Sequence, residues 1–212
     1  MKKVLVSSTV MIVIMVIGQR GAEGAIAGTP HDMSAKGWGT TELCKFCHTP
    51  HLAQPVSGAP LWNHKTTTAT YTLYTSSTQQ GVGGQPGATS LLCLSCHDGT
   101  VAIDSFANNG VLQTGTRMMP STNQVGGASS LASDHPIAFT YDAALVAADT
   151  AARGGGAAQL ATPASASVVN GLPLFSSKLE CATCHNSHDN TFPKFLRISN
   201  GSSAMCLKCH IK

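Results

Sequence analysis

The first apolar feature of the chain is a run of hydrophobic residues near its N-terminus. Residues 4–18 read VLVSSTVMIVIMVIG, follow two lysines and precede the small residues AIA at positions 25–27. A charged region, an apolar region and an A-x-A site in this order are typical of a secretory signal peptide. The run is shorter than the ~20 residues that a membrane-spanning helix needs. We therefore predict a signal peptide at residues 1–27, with cleavage near residues 24–27, and an exported mature chain without a membrane span.

Beyond this run, the spacing of hydrophobic and polar positions predicts little regular structure. Residues 66–90 begin as a Thr- and Tyr-rich stretch, compatible with a strand or a hairpin, and then become Gly-rich. Residues 98–180 are rich in Gly, Ala and Ser and carry one weak helical pattern near residues 141–152. This long segment could serve as a spacer, an exposed surface loop or a glycan carrier.

The composition is poor in the side chains that fill an ordinary protein core. Only 11% of the residues are charged and 5% are aromatic. Too few large side chains are available for close packing, yet the charge is too low for a solvated, disordered chain. We therefore expect that something other than side chains fills much of the interior of a single domain at residues 28–212.

The eight cysteines of the chain occur as four motifs of one kind. Each motif is Cys-x-x-Cys followed at once by His, and no cysteine is left over. In an exported chain, eight cysteines first suggest four disulfides, but this regular placement argues against that interpretation. The motifs are CKFCH (44–48), CLSCH (93–97), CATCH (181–185) and CLKCH (206–210).

C-x-x-C-H is the attachment signature of c-type haem. Zinc sites also pair CxxC with CxxC, but they have no reason to place a histidine after every pair. We predict four covalently bound haem c groups that form much of the core of a mostly irregular chain, with few short α-helices and a small β-hairpin. The thioether bonds would come from Cys44, Cys47, Cys93, Cys96, Cys181, Cys184, Cys206 and Cys209. The proximal iron ligands would be His48, His97, His185 and His210.

The ligand on the second face of each iron decides what such haems do. Iron with an open face binds small molecules, whereas iron held on both faces mainly transfers electrons. The candidates outside the motifs are His31, His51, His64, His135 and His188. Methionine is the alternative distal ligand, and the mature region contains Met33, Met118, Met119 and Met205. The histidines cover four irons with one to spare, which favours bis-His ligation.

Two of these histidines occupy matched positions. His51 follows the first motif in CHTPH, and His188 follows the third in CHNSH. On a helical turn, the Cβ atoms of residues i and i+3 are only about 5–6 Å apart, too close for two imidazoles on opposite faces of one iron. Each histidine is therefore expected to bind a haem other than the one its own motif holds. The motifs therefore fall into two similar halves, residues 44–97 and 181–210. Each half has CxxCHxxH followed by a plain CxxCH.

The other three candidates have less distinctive surroundings. His31 lies near the mature N-terminus, where ligation would order it. His135 precedes a proline, which favours an extended backbone that could present the ring to a haem. His64, beside Trp62, fits an ordinary loop histidine as well as it fits a ligand.

The charge of the chain argues against one class of partner. The formal net charge is +3, without the basic patch that marks proteins binding nucleic acid. The propionates of four haems would add negative charge, so the oxidised holoprotein would be acidic.

Several segments of the chain resemble one family of proteins. CKFCHTPH, PLWNH, LLCLSCHDGTVAID, SDHPIAF, ECATCHNSH and MCLKCH are similar to the doubled-CxxCH tetrahaem c-type cytochromes that metal-reducing bacteria export. Within that family, the chain most resembles the filament-forming OmcE type of extracellular cytochrome nanowire. The resemblance covers nearly the whole mature chain and keeps the order of the motifs.

The resemblance implies a set of ligands. Members of the family have closely stacked bis-His haems and little regular secondary structure. In its filament-forming members, a haem near the subunit boundary takes its distal histidine from the neighbouring subunit. By this likeness, His51 would be the shared ligand and His64 the spare. The remaining distal ligands would be His31, His135 and His188.

The resemblance also implies a function. We expect an electron-transfer protein rather than an enzyme, secreted to the cell surface as a haem-stacked conductive homopolymer for extracellular electron transfer. Its partners would be other multihaem cytochromes and extracellular electron acceptors. One alternative is a soluble periplasmic tetrahaem shuttle, in which a single chain supplies every ligand. The other is a multihaem reductase, which needs an open iron.

Overall fold

The computed structural model describes residues 26–108 and 111–211 of the 212-residue chain. The predicted signal peptide lies outside the described residues except for its last two positions. Short elements separated by irregular chain make up the described part, which confirms the predicted coil-rich fold class. The α-helices there are α1 (Ala88–His97), α2 (Ala143–Ala152) and α3 (Cys181–Cys184). Single-turn 3₁₀-helices lie at Ser34–Lys36, Ser121–Asn123, Gly127–Ser129, Pro193–Phe195, Gly201–Ser203 and Cys206–Lys208.

The strands of the described chain are two residues long and form three separate pairs. They are β1 (Thr72–Leu73), β2 (Ala107–Asn108), β3 (Val111–Leu112), β4 (Ser130–Leu131), β5 (Val168–Val169) and β6 (Leu172–Pro173). β2 pairs with β3, and β5 with β6, both antiparallel. β1 pairs in parallel with β4, so the Thr- and Tyr-rich stretch at residues 66–90 contributes a strand to a long-range pair rather than a local hairpin.

The β5–β6 hairpin follows directly from its sequence. Asn170 and Gly171 connect the strands, and both have positive φ angles, 43° and 83°. A two-residue connection of this kind needs positive φ at both positions to match the twist of the strands, and Asn-Gly adopts it most readily. Val169 and Leu172, which flank the turn, are buried.

The predicted helix near residues 141–152 is confirmed as α2. The Asp142 carboxylate accepts a hydrogen bond from the Leu145 amide at 2.9 Å and so caps the first turn. Leu145 packs in the larger hydrophobic cluster, which contains Tyr141, Ala161, Val169, Leu172, Leu174, Leu179 and Met205. Much of the Gly- and Ala-rich segment therefore contributes to a packed core and is more than a spacer.

One buried carboxylate joins the two halves of the chain. Glu180 is only 2% exposed, and it accepts hydrogen bonds from the Gly87 amide (3.2 Å) and the Ser90 hydroxyl. Gly87 precedes α1 and has no side chain that could cap that helix, so Glu180 supplies the acceptor from a distant part of the chain. The Ser90 hydroxyl oxygen in turn accepts from the Cys181 amide at 2.9 Å. α1 and α3, which carry the second and third motifs, are thereby held together.

No helix within residues 26–108 and 111–211 is both long enough and apolar enough to span a membrane.

Candidate functional site

The eight motif cysteines are all free thiols. Cys44 and Cys206 are exposed, and the other six are partly buried. Burial, with the charge of nearby Cys44, raises the pKa of the Cys47 thiol to about 11. A neutral thiol of this kind lacks the thiolate character of a catalytic cysteine. Among the described residues, no group of three or more His, Cys, Asp or Glu side chains is arranged around a common metal position.

The second and third motifs touch through their cysteines. Interaction with the neighbouring Cys181 sulfur raises the pKa of Cys93 and lowers the pKa of Cys181, and the Cys93 thiol donates to the Thr89 carbonyl at 3.6 Å. The contact between the two cysteines lies beside the hydrogen bonds of Glu180 and Ser90 that hold α1 against α3. The clamp between the helices therefore also sets the distance between these two motifs.

The other neighbouring motifs also lie side by side. Burial, with the charge of nearby Cys47, raises the pKa of Cys96 to about 12. Burial, with the charge of nearby Cys209, raises the pKa of Cys184 to about 11. Motifs that follow one another in the sequence are therefore neighbours in space, from the first to the fourth.

The backbone around the first doubled motif forms a short antiparallel bridge. His48 pairs with Trp62. The Thr49 amide donates to the Leu61 carbonyl at 2.8 Å, and the Asn63 amide donates to the Cys47 carbonyl at 2.8 Å. The Asn63 side-chain amide also donates to the Lys45 carbonyl, between the two cysteines. This frame fixes His48 against residues 60–63.

The second doubled motif has the same frame. His185 pairs with Leu196. The Asn186 amide donates to the Phe195 carbonyl (2.8 Å), and the Arg197 amide donates to the Cys184 carbonyl (2.9 Å). The Arg197 side chain donates to the Ala182 carbonyl at 2.8 Å, again between the two cysteines. The two halves that the sequence predicts are therefore also alike in backbone geometry.

An unusual backbone angle recurs at the same point of both frames. Leu61 has φ 58° and Phe195 has φ 57°. Bulky residues seldom adopt positive φ, so local preference does not explain the conformation. The bridge to the motif imposes it in each half.

The predicted proximal histidines of the first three motifs are oriented by backbone carbonyls. Nδ1 of His48 lies 2.9 Å from the Pro60 carbonyl, Nδ1 of His185 lies 2.8 Å from the Lys194 carbonyl, and Nδ1 of His97 lies 3.0 Å from the Asn123 carbonyl. A carbonyl only accepts, so Nδ1 carries the proton and Nε2 keeps its lone pair. A metal-binding histidine is typically held in this way.

Three of the predicted proximal histidines have a second imidazole nearby. The ring centroids of His97 and His31 are 6.2 Å apart, those of His48 and His188 are 6.0 Å apart, and those of His210 and His135 are 6.4 Å apart. The Nδ1 atom of His135 donates to the Pro136 carbonyl at 2.9 Å, which again leaves Nε2 with its lone pair.

These spacings fit the group that the motifs imply. An imidazole nitrogen lies about 2.0 Å from a transition-metal ion, so two rings on opposite faces of one iron have centroids roughly 6 Å apart. The three pairs match this requirement at 6.0–6.4 Å, at interplanar angles of 21°, 60° and 74°. Each pair combines a motif histidine with one of the predicted distal histidines, so the chain's residues fit bound haem c.

Two of the predicted distal histidines have lowered pKa values. Burial, with the charge of nearby His97, lowers the pKa of His31. Burial, with the charge of His48, also lowers the pKa of His188. A neutral imidazole is the form that binds a metal ion, and a lowered pKa favours this form in both side chains.

Two predicted ligands have no imidazole partner in the described part of the chain. They are His185, the proximal residue of the third motif, and His51, which follows the first. Both are exposed. His51 lines a cleft of about 770 Å³ together with Cys44, His48 and Leu52.

His64 has a different environment from the eight other histidines. It is 2% exposed, and both ring nitrogens face backbone carbonyls, with Nδ1 2.7 Å from Lys65 and Nε2 3.2 Å from Ala102. Burial lowers its pKa. Its Nε2 is also 3.6 Å from the Cys96 sulfur. This geometry favours His64 as the histidine that is not needed as an iron ligand.

The premise of a helical turn at the two CHxxH segments is wrong. His48 lies in an isolated bridge, and His185 is the extended residue that follows α3. His188 nevertheless faces His48 rather than His185, the histidine of its own motif.

Sequence reasoning missed three residues that shape these sites. Phe195 stacks on His31 with ring centroids 4.2 Å apart. Glu180 clamps the helices of the second and third motifs. Trp62 stands edge-on to His48, with centroids 6.3 Å apart, and its buried indole nitrogen has no hydrogen-bond partner among the described residues. Two of them stood close to a residue that the sequence singled out, because Trp62 lies two positions before His64 and Glu180 directly precedes Cys181.

The comparisons with known proteins address the C-terminal part of the chain. The family model described as the doubled CXXCH motif matches residues 174–212. This match spans the third and fourth motifs and indicates a multihaem c-type cytochrome that transfers electrons. A search of curated proteins found no match to the chain.

Proposed function

We propose that this protein is an exported tetrahaem c-type cytochrome that carries electrons along a homopolymer to acceptors outside the cell. The observation that carries the proposal is the set of three imidazole pairs at 6.0–6.4 Å, together with the two histidines left over. When bound, haem c supplies one-electron redox chemistry. The chain supplies attachment, ligation and spacing.

The proposed iron ligands are the three imidazole pairs in the arrangement that the structure shows. His97 with His31, His48 with His188, and His210 with His135 would hold three irons within one chain. The Nδ1–carbonyl bonds orient the imidazoles. Filling both faces of an iron leaves no open position, which suits electron transfer better than substrate binding.

The order of the motif cysteines suggests the path of the electrons. Cys47 lies near Cys96, Cys93 lies near Cys181, and Cys184 lies near Cys209. Groups attached at these thiols would follow one another from the first motif to the fourth. Each electron would then enter at one end of the subunit and leave at the other.

The left-over histidines support assembly into a filament. His185 would take its distal ligand from His51 of the next subunit, so that each site is completed by a second copy of the chain. Both residues are exposed, as are two apolar side chains that line the same cleft as His51: Leu52 (71%) and Leu61 (51%). Exposed apolar side chains that lie together are typical of an interaction surface. Such a filament would lie at the cell surface and exchange electrons with other multihaem cytochromes.

His51→Ala tests the proposal. We expect four attached haems by mass spectrometry, no filaments by negative-stain microscopy, and one iron in four in the high-spin state. Added imidazole is the control, because it should restore the low-spin spectrum without restoring the filaments. Persistent filaments with a normal low-spin spectrum would refute the proposal. Monodisperse wild-type monomers with four low-spin haems would instead identify a soluble periplasmic shuttle.

One observation favours a second candidate function. In a single chain, His185 faces no second imidazole among the described residues, and an open iron is what a multihaem reductase requires. Cyanide binding to one haem in the intact assembly would favour the reductase. Absence of cyanide binding in the assembly would favour electron transfer alone.

A further inference from the structure

The buried carboxylates of the described chain fall into two kinds. Asp104 and Asp149 each have an arginine nitrogen close by, at 2.7 Å and 3.0 Å. Asp98 and Glu180 are buried more deeply, at 1% and 2% exposure, and neither forms an ion pair with a described lysine or arginine. A buried charge is costly unless hydrogen bonds or an opposite charge stabilise it. The two unpaired carboxylates both lie next to a haem-attachment motif.

Asp98 directly follows His97, the last residue of the second motif. Its Oδ2 atom accepts from the Tyr71 hydroxyl at 2.5 Å and from the Thr67 hydroxyl at 2.8 Å. Its Oδ1 atom accepts from the Thr100 amide at 2.7 Å. Donors on both oxygens favour the ionised form of a carboxyl group, so this network holds a negative charge in place beside the second motif.

Glu180 directly precedes Cys181, the first residue of the third motif. It accepts from the start of α1, as described above, and also from the Thr183 amide in the first turn of α3. Burial raises the pKa of Glu180, and its hydrogen bonds and nearby Lys178 act in the opposite direction. The side chain therefore has donors from two helices and only a weak influence from one cation.

The charge of each carboxylate is felt at a motif sulfur. Besides burial and a neighbouring cysteine, the charge of Asp98 raises the pKa of Cys96. Interaction with a neighbouring thiol lowers the pKa of Cys181, and the charge of Glu180 opposes this shift. In both cases the carboxylate makes additional negative charge at the sulfur less favourable. A group bonded to that sulfur would lie in the same field.

Reduction of a haem adds negative charge in the same way. One electron, arriving from a neighbouring haem, converts ferric iron to ferrous iron and lowers the charge of the group by one. Repulsion between charges is stronger in the protein interior than in water. We propose that the ionised side chains of Asp98 and Glu180 lower the reduction potentials of the haems attached at the second and third motifs. These are the two middle haems of the proposed path, so the inference rests on the proposed function.

Neutral side chains of the same size test the proposal in the holoprotein. In potentiometric titrations at mildly alkaline pH, which favours ionised Glu180 in spite of its raised pKa, we expect one of four midpoint potentials to rise in Asp98→Asn and one in Glu180→Gln. Two should rise in the double variant. Asp104→Asn and Asp149→Asn are the matched controls and should leave the midpoints unchanged, because the arginines left behind are half-exposed. Unchanged midpoints in Asp98→Asn and Glu180→Gln would overturn the proposal.

A further variant separates the charge of Glu180 from its role in the clamp. Glu180→Asp keeps the charge but is too short to make the same hydrogen bonds, so it should unfold at a lower temperature and keep the wild-type potentials. An equal rise in Glu180→Asp and Glu180→Gln would show a structural effect and overturn the assignment. The mass of each protein reports separately whether four haems are attached, which tests the proposed function and not this inference.

A measurement on the wild-type protein does not depend on whether the variants fold. Isotope-labelled aspartate and glutamate distinguish side-chain carboxylates from haem propionates in infrared difference spectra of reduced against oxidised protein. We expect labelled bands of ionised carboxylate to shift on reduction, because buried charges beside the haems respond to the added electron. Labelled bands that do not change on reduction would overturn the proposal.

Discussion

In the first half of the chain, the motif histidine His48 lies 6.0 Å from the imidazole of His188; in the second half, its counterpart His185 has no such neighbour among the described residues. The frames around the two histidines are nevertheless alike. Each motif pairs with a later segment through the same backbone bonds, and Nδ1 of each histidine donates to a carbonyl. A shared local frame therefore does not decide which second ligand a site receives.

The side chains at matched positions explain how the halves diverge. Leu61 is 51% exposed beside the cleft, whereas its counterpart Phe195 is buried and stacks on His31. His51 and His188 are both exposed, but only His188 lies beside an imidazole of the other half. The extra histidine of the first doubled motif therefore has no imidazole partner among the described residues, and that of the second has one within the chain. The two halves share the backbone frame around the motif and differ in the contacts between sites.

The largest effect should follow removal of His188, the extra histidine that pairs with an imidazole within the chain. His188→Ala should open the iron held by His48 in every subunit, whether assembled or dissociated, because the two rings pair within one chain. His51→Ala should change ligation only where subunits meet. Counting high-spin haem in dissociated and assembled protein separates the two. If both variants behaved alike in the dissociated state, the contrast between the halves would be wrong.

The next effect concerns the clamp that joins the halves. A Cβ at Gly87 would lie 2.5 Å from Glu180 Oε1, so Gly87→Ala should displace the carboxylate and destabilise the holoprotein by about 2–3 kcal/mol. Gly156→Ala is the matched control, since nothing lies within 4 Å of its Cβ position. Thermal unfolding measures both. An unchanged midpoint for Gly87→Ala would show that the clamp is dispensable.

A smaller difference, in the free energy of unfolding, is expected between substitutions of the matched residues Asn63 and Arg197. Asn63 is 1% exposed and donates to the Lys45 and Ala107 carbonyls. Its replacement by Ala leaves both acceptors unpaired and should lower the free energy of unfolding by about 1–2 kcal/mol. Arg197→Ala should cost less than about 1 kcal/mol, because water can reach the Ala182 carbonyl once the partly exposed side chain is gone. Denaturant unfolding of the two variants tests the difference, and equal losses would contradict it.

The smallest effect is a pH dependence of the ligand pair in the first half. Burial lowers the folded-state pKa of His188 below the ordinary value near 6.5. Its contribution to stability is therefore complete above pH 6.5 and is lost as the pH falls through the lower folded-state pKa. A spectral titration should show high-spin haem appearing only below pH 6.5. The same transition should be missing in His188→Ala, and a midpoint above 6.5 would contradict the shift.

Part of the fold could be predicted from short stretches of sequence. The weak pattern near residues 141–152 is a helix because Asp142 caps it and Leu145 has a core to enter. The Asn170–Gly171 pair makes a hairpin because its φ angles suit the turn. The strand at Thr72–Leu73 pairs with Ser130–Leu131 instead of with a local neighbour. Such a partner depends on long-range packing, which hydrophobic periodicity does not encode.

The sequence by itself determined the chemistry of the sites. The spacing of CxxCH places two thiols and one imidazole within a few residues, and a covalent attachment needs nothing more distant. The count of further histidines and the repeated CHxxH pattern predicted which residues could act as second ligands. His64, left as the spare, has both ring nitrogens facing carbonyls.

Only the tertiary structure decided which imidazoles meet. His31 lies beside His97 where Phe195 stacks on it, and His188 reaches back to His48 from the other half of the chain. These meetings depend on the backbone bridges around the doubled motifs and on the Glu180 clamp, each of which joins residues far apart in sequence. Local spacing can specify a covalent attachment, but two ligands on opposite faces of one iron must come from separate segments, and packing alone brings those segments together.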